Sequence, residues 1–345
     1  MLDLLPPAAL LDPPPALDRD ARVAYPIRLV DLDLPALPDV VAAAARAVVS
    51  ATGVVVGISL SGSPDPALAA LTNALDLTLS ATPGGQETVT VDDVPGAARD
   101  LVARVQNFPH ASTVLAGLLR WSGGLPIPAA LDAESLAYST LLAGPEFAGW
   151  LARRGPRPVP PTVVEPVGVE RTDDELRITL NRPERRNAYG RQLRDALVDA
   201  LLVAQLDDSI RRVVLTGAGP SFCSGGDLDE FGLAPDLATA HLVRTRAGAA
   251  LPLARLSRKV EVRVHGTCVG AGIELPAYAG RVVAAPDSRF VLPEVAMGLI
   301  PGAGGTVSIP RRIGRWRTLW LALTGVPLHA SRALAWGLVD EIASG

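Results

Sequence analysis

The chain has 345 residues, 48% of them hydrophobic, and a formal charge of −4 from 32 basic and 36 acidic side chains. That is enough apolar material for a buried core and for two domains, and it leaves no basic footprint for nucleic acid. Cys223 and Cys268 are the only cysteines, too few for a disulfide framework or a zinc pattern, and both read as small core thiols.

In chain order, MLDLLPPAALLDPPP has no basic n-region and is broken by prolines, so it does not read as a signal peptide, and residues 1–25 read as an irregular arm. No apolar run reaches the roughly 20 residues of a membrane span, and a cytoplasmic location is expected. Leu37 to Val49 predicts a helix, Val54 to Leu60 a buried strand, Ala67 to Leu79 a helix and Glu87 to Val91 a strand. Pro95 to Val105 and His110 to Arg120 predict helices broken at Asn107-Phe-Pro. Asp132 to Arg153 predicts an amphipathic helix whose apolar face includes Leu136, Leu141, Phe147 and Trp150. Gly155 to Pro166 (GPRPVPPTVVEP) is proline-rich and reads as a linker, dividing a domain of residues 1–160 from one of 161–345.

A βα rhythm follows the linker. Strands are predicted at Leu176 to Leu180, Arg212 to Leu215, Val260 to Val264 and Arg281 to Ala284. Helices are predicted at Gly190 to Leu202, through most of Leu237 to Leu256, at Ile273 to Tyr278, from Thr306 onward and at Trp316 to Leu323. Alternation of this kind argues α/β layers.

The stretch with the most chemistry runs from Val262 to Thr306. A β-branched strand leads into a turn of small residues, Gly266 to Gly272, and then a helix start carrying Glu274. An acidic group in a first helical turn is favoured by the dipole, and the free N–H groups there suit an anion. Glu294 follows Pro293 in the apolar LPEV, ahead of the glycine-rich PGAGGT. A buried glutamate is rare without a role or a partner. PGAGG lacks the G-x-G-x-x-G spacing of a dinucleotide site. The four histidines are scattered, so no metal ligation is expected.

Four segments, LNRPERRNA, SFCSGGD, HGTCVGAGIEL and LPEVAMGLIPGAGGT, stand in this order between Leu180 and Thr306. Together they resemble the enoyl-CoA hydratase/isomerase family, the crotonase superfamily, over roughly Val163 to Ile342. The resemblance implies an α/β fold: a crotonase-like spiral ββα core behind a mostly helical α/β N-terminal domain. It implies an oxyanion hole made by the N–H groups of Gly226 and Ala271, and two hydratase carboxylates, Glu274 and Glu294. It implies contacts to the CoA nucleotide from Arg185, Arg186 and Ala188, with Asp227 as a structural neighbour and His265 in a structural hydrogen bond. The implied function is a lyase, an enoyl-CoA hydratase that uses no cofactor besides the CoA carried by its substrate. The implied assembly is a homo-oligomer, trimer or hexamer. Isomerisation, hydrolysis and cofactor-free oxygenation of a CoA thioester share the same oxyanion hole and stay open. So does a non-catalytic partner role in an acyl-CoA pathway, against which both glutamates speak.

Two features depart from the family pattern. Tyr189-Gly190 and Ala279-Gly280 replace more usual pairs, and neither is expected to touch the chemistry. The family also continues with helices after the segment matching GLVDEI, whereas Thr88 to Arg154 resembles those helices moved to the front. A circular permutation and a decayed duplication both fit. Either way, residues 88–154 are expected to pack on the core and close the acyl-CoA pocket.

Overall fold

Val54-Val-Val-Gly-Ile-Ser59 is apolar on both alternating faces, which suits a strand covered on both sides. In the structure, a computed structural model that describes residues 2–344, it is the central strand, β3, of a five-stranded parallel sheet. The other strands are β1 (Leu4–Leu5), β2 (Ile27–Asp31), β4 (Leu77–Ser80) and β5 (Thr88–Thr90), in the order β1-β2-β3-β4-β5. Val55 faces a layer made by α1 (Pro38–Val49) and α2 (Ala69–Ala74). Val54, Val56 and Ile58 face the other way, onto α3 (Val94–Asn107) and α4 (Pro109–Trp121). Asp93 caps α3, accepting from Gly96 N–H at 2.9 Å. α5 (Ile127–Leu142) and α6 (Pro145–Arg154) follow, and Glu146 of α6 caps α4 by accepting from His110 and Ala111 N–H at 2.7 and 3.1 Å.

Residues 155–166 carry no helix or strand. A six-stranded sheet follows, built from β6 (Val167–Thr172), β7 (Glu175–Leu180), β8 (Arg212–Gly217), β9 (Val260–Val264), β11 (Arg281–Ala284) and β14 (Glu341–Ile342). Its order is β14-β11-β9-β8-β7-β6, parallel except for the β6–β7 hairpin. β10 (Thr267–Val269), β12 (Arg289–Val291) and β13 (Leu328–His329) form a small second sheet beside it. The helices are α7 (Arg191–Leu206), α8 (Leu237–Arg246), α9 (Ala250–Leu256), the short α10 (Ala271–Glu274), α11 (Gly305–Thr324) and α12 (Ala330–Trp336). α11 changes direction at Gly314, whose φ of 80° a residue with a side chain rarely adopts.

The two halves share one apolar core. Val56, Leu101 and Leu115 belong to the same buried cluster as Leu193, Ile273 and Leu319. α11 packs against α3, α4 and α5, and α5 also packs against α8. Arginines of the back half complete the contact by donating to front-half carbonyls. Arg315 reaches Asn73 and Ala74 at 2.7 and 2.8 Å, Arg317 reaches Gly85 at 3.1 Å, and Arg332 reaches Thr90 at 2.6 Å.

Several sequence expectations are corrected. Residues 67–79 do not form one helix: α2 ends at Ala74, and the chain enters β4 at Leu77 because Leu77 and Leu79 face the core between strands. Part of the expected irregular arm pairs as β1, and β2 and β6 were not predicted at all. The helix expected over 132–153 is two, broken at Ala143-Gly144 before Pro145. That break changes the buried face: Leu141 and Phe147 are buried, whereas Leu136 is 58% exposed. The long helix expected over 237–256 is likewise two, separated at 247–249. Among the described residues, no helix is long and apolar enough to cross a membrane.

Candidate active site

Two loops at the carboxyl ends of parallel strands build the site, the usual place for a ligand in such sheets. The first follows β8 and runs to Asp227. Asn187, itself at φ 54°, pins it: Nδ2 donates to the carbonyls of Ala218, Ser221 and Phe222 at 2.8, 3.0 and 3.0 Å, while Oδ1 accepts from Arg182 N–H at 2.8 Å. Tyr189 N–H donates to Gly225 O (2.7 Å) and Asp227 N–H to Tyr189 O (3.3 Å). The Gly226 N–H lies between these bonds and takes part in neither.

The second loop follows β10. Gly270 takes φ 48° and ψ −115°, a backbone that only glycine holds without strain. A Cβ there would also lie 2.5 Å from Glu294 Oε1 and 3.7 Å from Glu274 Oε1. The two carboxylates therefore meet across a bare backbone. Ala271 opens α10, so its N–H has no acceptor within the helix.

A cavity of about 760 Å³ takes in Gly226, Ala271, Glu274 and Glu294 together. Leu131, Glu134, Ser135, Tyr138 and Leu142 of α5 and Trp150 of α6 close it from the front half. Arg185, Arg186 and Ala188 do not line it; the neighbouring Tyr189, Gly190 and Arg191 do. Arg185 is held by Asp227 and Asp229, each at 2.6 Å, and these two acids keep its guanidinium charged. Ala188 is buried and Arg186 is exposed at φ 50°. Tyr189 corrects the expectation that the Tyr189-Gly190 departure stays clear of the chemistry, since it lines the cavity and fixes Gly225. His265 Nε2 meets Gly219 O at 2.9 Å, a structural contact. Cys223 and Cys268 are buried free thiols.

The acids are set differently. Glu274 Oε2 accepts from Ala303 and Gly305 N–H at 2.7 and 2.8 Å. Burial, then the neighbouring Glu294 and Glu134, push its proton affinity well above the carboxylate range. Glu294 has no hydrogen-bond partner on Oε2, and burial first, then Glu134, raises its pKa to about 8. Sequence reasoning missed the third acid, Glu134, whose pKa burial raises to about 7 against the pull of Thr306, Gly304 and Arg244. No local signal marks it: Leu131, Glu134, Ser135 and Tyr138 share one helix face at three- and four-residue steps, but that spacing does not say which face turns to the site.

A mostly parallel α/β sheet with a cavity lined by buried acids at its strand ends defines an α/β protein with a candidate acid-lined site. Residues 172–345 match the family model described as Enoyl-CoA hydratase/isomerase. The chain is 39% identical over 172 residues to the 1,2-epoxyphenylacetyl-CoA isomerase of Escherichia coli (strain K12), covering 48% of this chain and 65% of that protein. It is 38% identical over 174 residues to the 2,3-dehydroadipyl-CoA hydratase of the same organism, covering 50% of this chain and 68% of that protein. Among solved structures, an enoyl-CoA hydratase of Mycobacterium smegmatis is 31% identical with a TM-score of 0.48, over 52% of this chain and 70% of that one. The chain belongs to the enoyl-CoA hydratase/isomerase family, the crotonase superfamily. It spans about two thirds of the length of the curated relatives it matches.

Proposed function

We propose that the chain is an acyl-CoA lyase that adds water, syn, across the double bond of a 2-enoyl-CoA thioester. One observation carries this reading: Glu274 and Glu294 meet across Gly270 in the cavity that also holds Gly226 and Ala271. The thioester carbonyl would accept from the N–H groups of Gly226 and Ala271, which stabilise the enolate as charge moves onto that oxygen. Glu274, in its ionised form with the charge held by two N–H donors, takes a proton from water as the hydroxyl bonds to the β carbon. Glu294, still protonated at neutral pH, delivers a proton to the α carbon. The product is the 3-hydroxyacyl-CoA, with the thioester intact and no cofactor consumed.

On this reading, taken from the family, the CoA nucleotide would run along residues 185–188, outside the cavity and beside its wall of Tyr189 and Gly190. Arg186 is the exposed cation available to its phosphates, because Arg185 is engaged by Asp227 and Asp229. The unpaired thiols suit the cytoplasm. A homo-oligomer, trimer or hexamer, is read from the family and is open to light scattering.

The test is a panel of enoyl-CoA thioesters analysed by mass spectrometry. Gain of one water with the thioester retained supports the hydratase. Unchanged mass with a moved double bond decides for an isomerase, release of free CoA for a hydrolase, and gain of oxygen for an oxygenase.

A further inference from the structure

α11 begins where the cavity ends, and its first N–H groups have no partners within the helix. The carboxylates take them alternately. Ala303 and Gly305 N–H donate to Glu274 Oε2. Gly304 N–H donates to Glu134 Oε1 at 2.7 Å, and Thr306 donates to Glu134 Oε2 through its N–H at 2.9 Å and its hydroxyl at 2.7 Å. One acid comes from the back half and the other from α5 of the front half, 170 residues before Gly304. The turn has no room for side chains at its glycines. A Cβ on Gly302 would lie 2.4 Å from the Tyr138 ring, and one on Gly305 would lie 2.6 Å from Glu274 Oε2. The positive end of α11 makes this arrangement of two buried acids tenable.

We propose that Glu134 is a positioning residue of this site: it holds the turn of Ala303 to Thr306 in register with Glu274 and sets the charge that Glu294 faces. The inference rests on the hydratase reading for its catalytic consequence, but its geometry does not. Both Glu134 oxygens accept from N–H or O–H groups, an arrangement matched to the carboxylate form. A glutamine would present an amide N–H₂ to one of these donors and lose that bond. The groups facing Glu134 and Glu294 are Glu274 on α10, Tyr138 on α5, Arg244 on α8 and Tyr278 in the turn after α10; Glu146 on α6 is turned away, to His110 and the start of α4. Arg244 is the cation among them that lines the cavity; its Nε donates to Ser135 Oγ at 3.0 Å, and its guanidinium lies 4.7 Å from the Tyr138 ring centre.

The experiment is a carbon-13 carboxyl titration of the full-length chain, with the Glu294 signal assigned by its loss in E294Q, repeated in E134Q and in Thr306→Val. In E134Q the Glu294 midpoint is expected to fall by roughly one pH unit, because a like charge has gone. The pH profile of enoyl-CoA turnover should move with it. Thr306→Val weakens the anchoring of Glu134 without changing side-chain size, and it should move the same midpoint the same way by less, which carries the test should E134Q not fold. A Glu294 midpoint unmoved in whichever variants fold overturns the proposal. An inactive parent whose Glu294 responds to E134Q sinks the hydratase reading and leaves this one standing; an active parent whose Glu294 does not respond does the reverse.

Discussion

The molecule buries acids in two places and treats them oppositely. In the front half, Asp76 is 1% exposed. Arg120 grips it through two bonds of 2.8 and 2.5 Å, Val55 N–H donates to it at 2.7 Å, and Arg315 of α11 stands 3.7 Å away. At the cavity, Glu134, Glu274 and Glu294 are buried together; backbone donors serve Glu134 and Glu274 in place of salt bridges, and Glu294 Oε2 has no partner. Burying a charge costs several kcal/mol unless a counter-charge or good donors offset it. Asp76 has the counter-charge and serves as a clasp between the halves. The glutamates have no salt-bridge partner, Arg244 only drawing on Glu134, so burial raises the proton affinity of all three. The difference separates burial offset by a counter-charge from burial that raises proton affinity, the state the proposed hydration would use.

The largest effect is expected from removing the side of the cavity that the front half supplies. A chain beginning at Pro161 would lose Glu134, Tyr138 and the helices that cover α11, exposing its apolar face. It should be insoluble or unable to bind acyl-CoA in calorimetry. A soluble chain of that length, as active as the full one, would show the front half to be an independent module.

Next come Glu274→Gln and Glu294→Gln. Each should lower hydration of crotonyl-CoA by about 10²–10⁴-fold, the usual contribution of a general acid or base, with the fold retained by circular dichroism. Parent-like turnover in both variants would end the assignment of these two residues. Asp76→Asn should behave in the opposite way. It leaves Arg120 buried without its partner and should cost about 3–5 kcal/mol of stability in urea unfolding, with turnover per folded molecule unchanged. Were Asp76→Asn to slow turnover as much as Glu294→Gln does, the contrast between the two clusters would collapse.

The smallest effect is on the pH dependence of stability. The carboxyl of Glu294 has its pKa raised from an ordinary 4.5 to about 8 in the folded chain. Between those values the folded state keeps a proton that the unfolded state has lost. This group therefore stabilises most below pH 4.5, and its contribution is lost as pH rises toward 8. The slope is at most about 1.4 kcal/mol per pH unit. Glu294→Gln should flatten unfolding midpoints measured between pH 5 and 8, and an unchanged slope would place the titration elsewhere.

What could be read from the residues alone was whatever local chemistry dictates. The βα rhythm after Val167 and the glycines at turns such as Gly270 follow from short-range patterns, and so does the setting of Glu294 in an apolar run; the pairing of Glu274 with Glu294 rests on the resemblance of their motifs to the family. The broken helix was legible in part, since Gly144-Pro145 is a stop signal, but a continuous apolar pattern across it turned Leu136 inward on paper while the fold leaves it at the surface. β1 and β2 are too short and too mixed to announce themselves; pairing with β3 makes them strands. Glu134 belongs wholly to the tertiary structure. Nothing within a turn of it in sequence marks it as a ligand of the α11 N-terminus, because its partners, Gly304 and Thr306, come within reach only when α5 docks on the core. A hydrogen bond closed across 170 residues is fixed by how two helices pack, and neither local propensity nor periodicity carries that information.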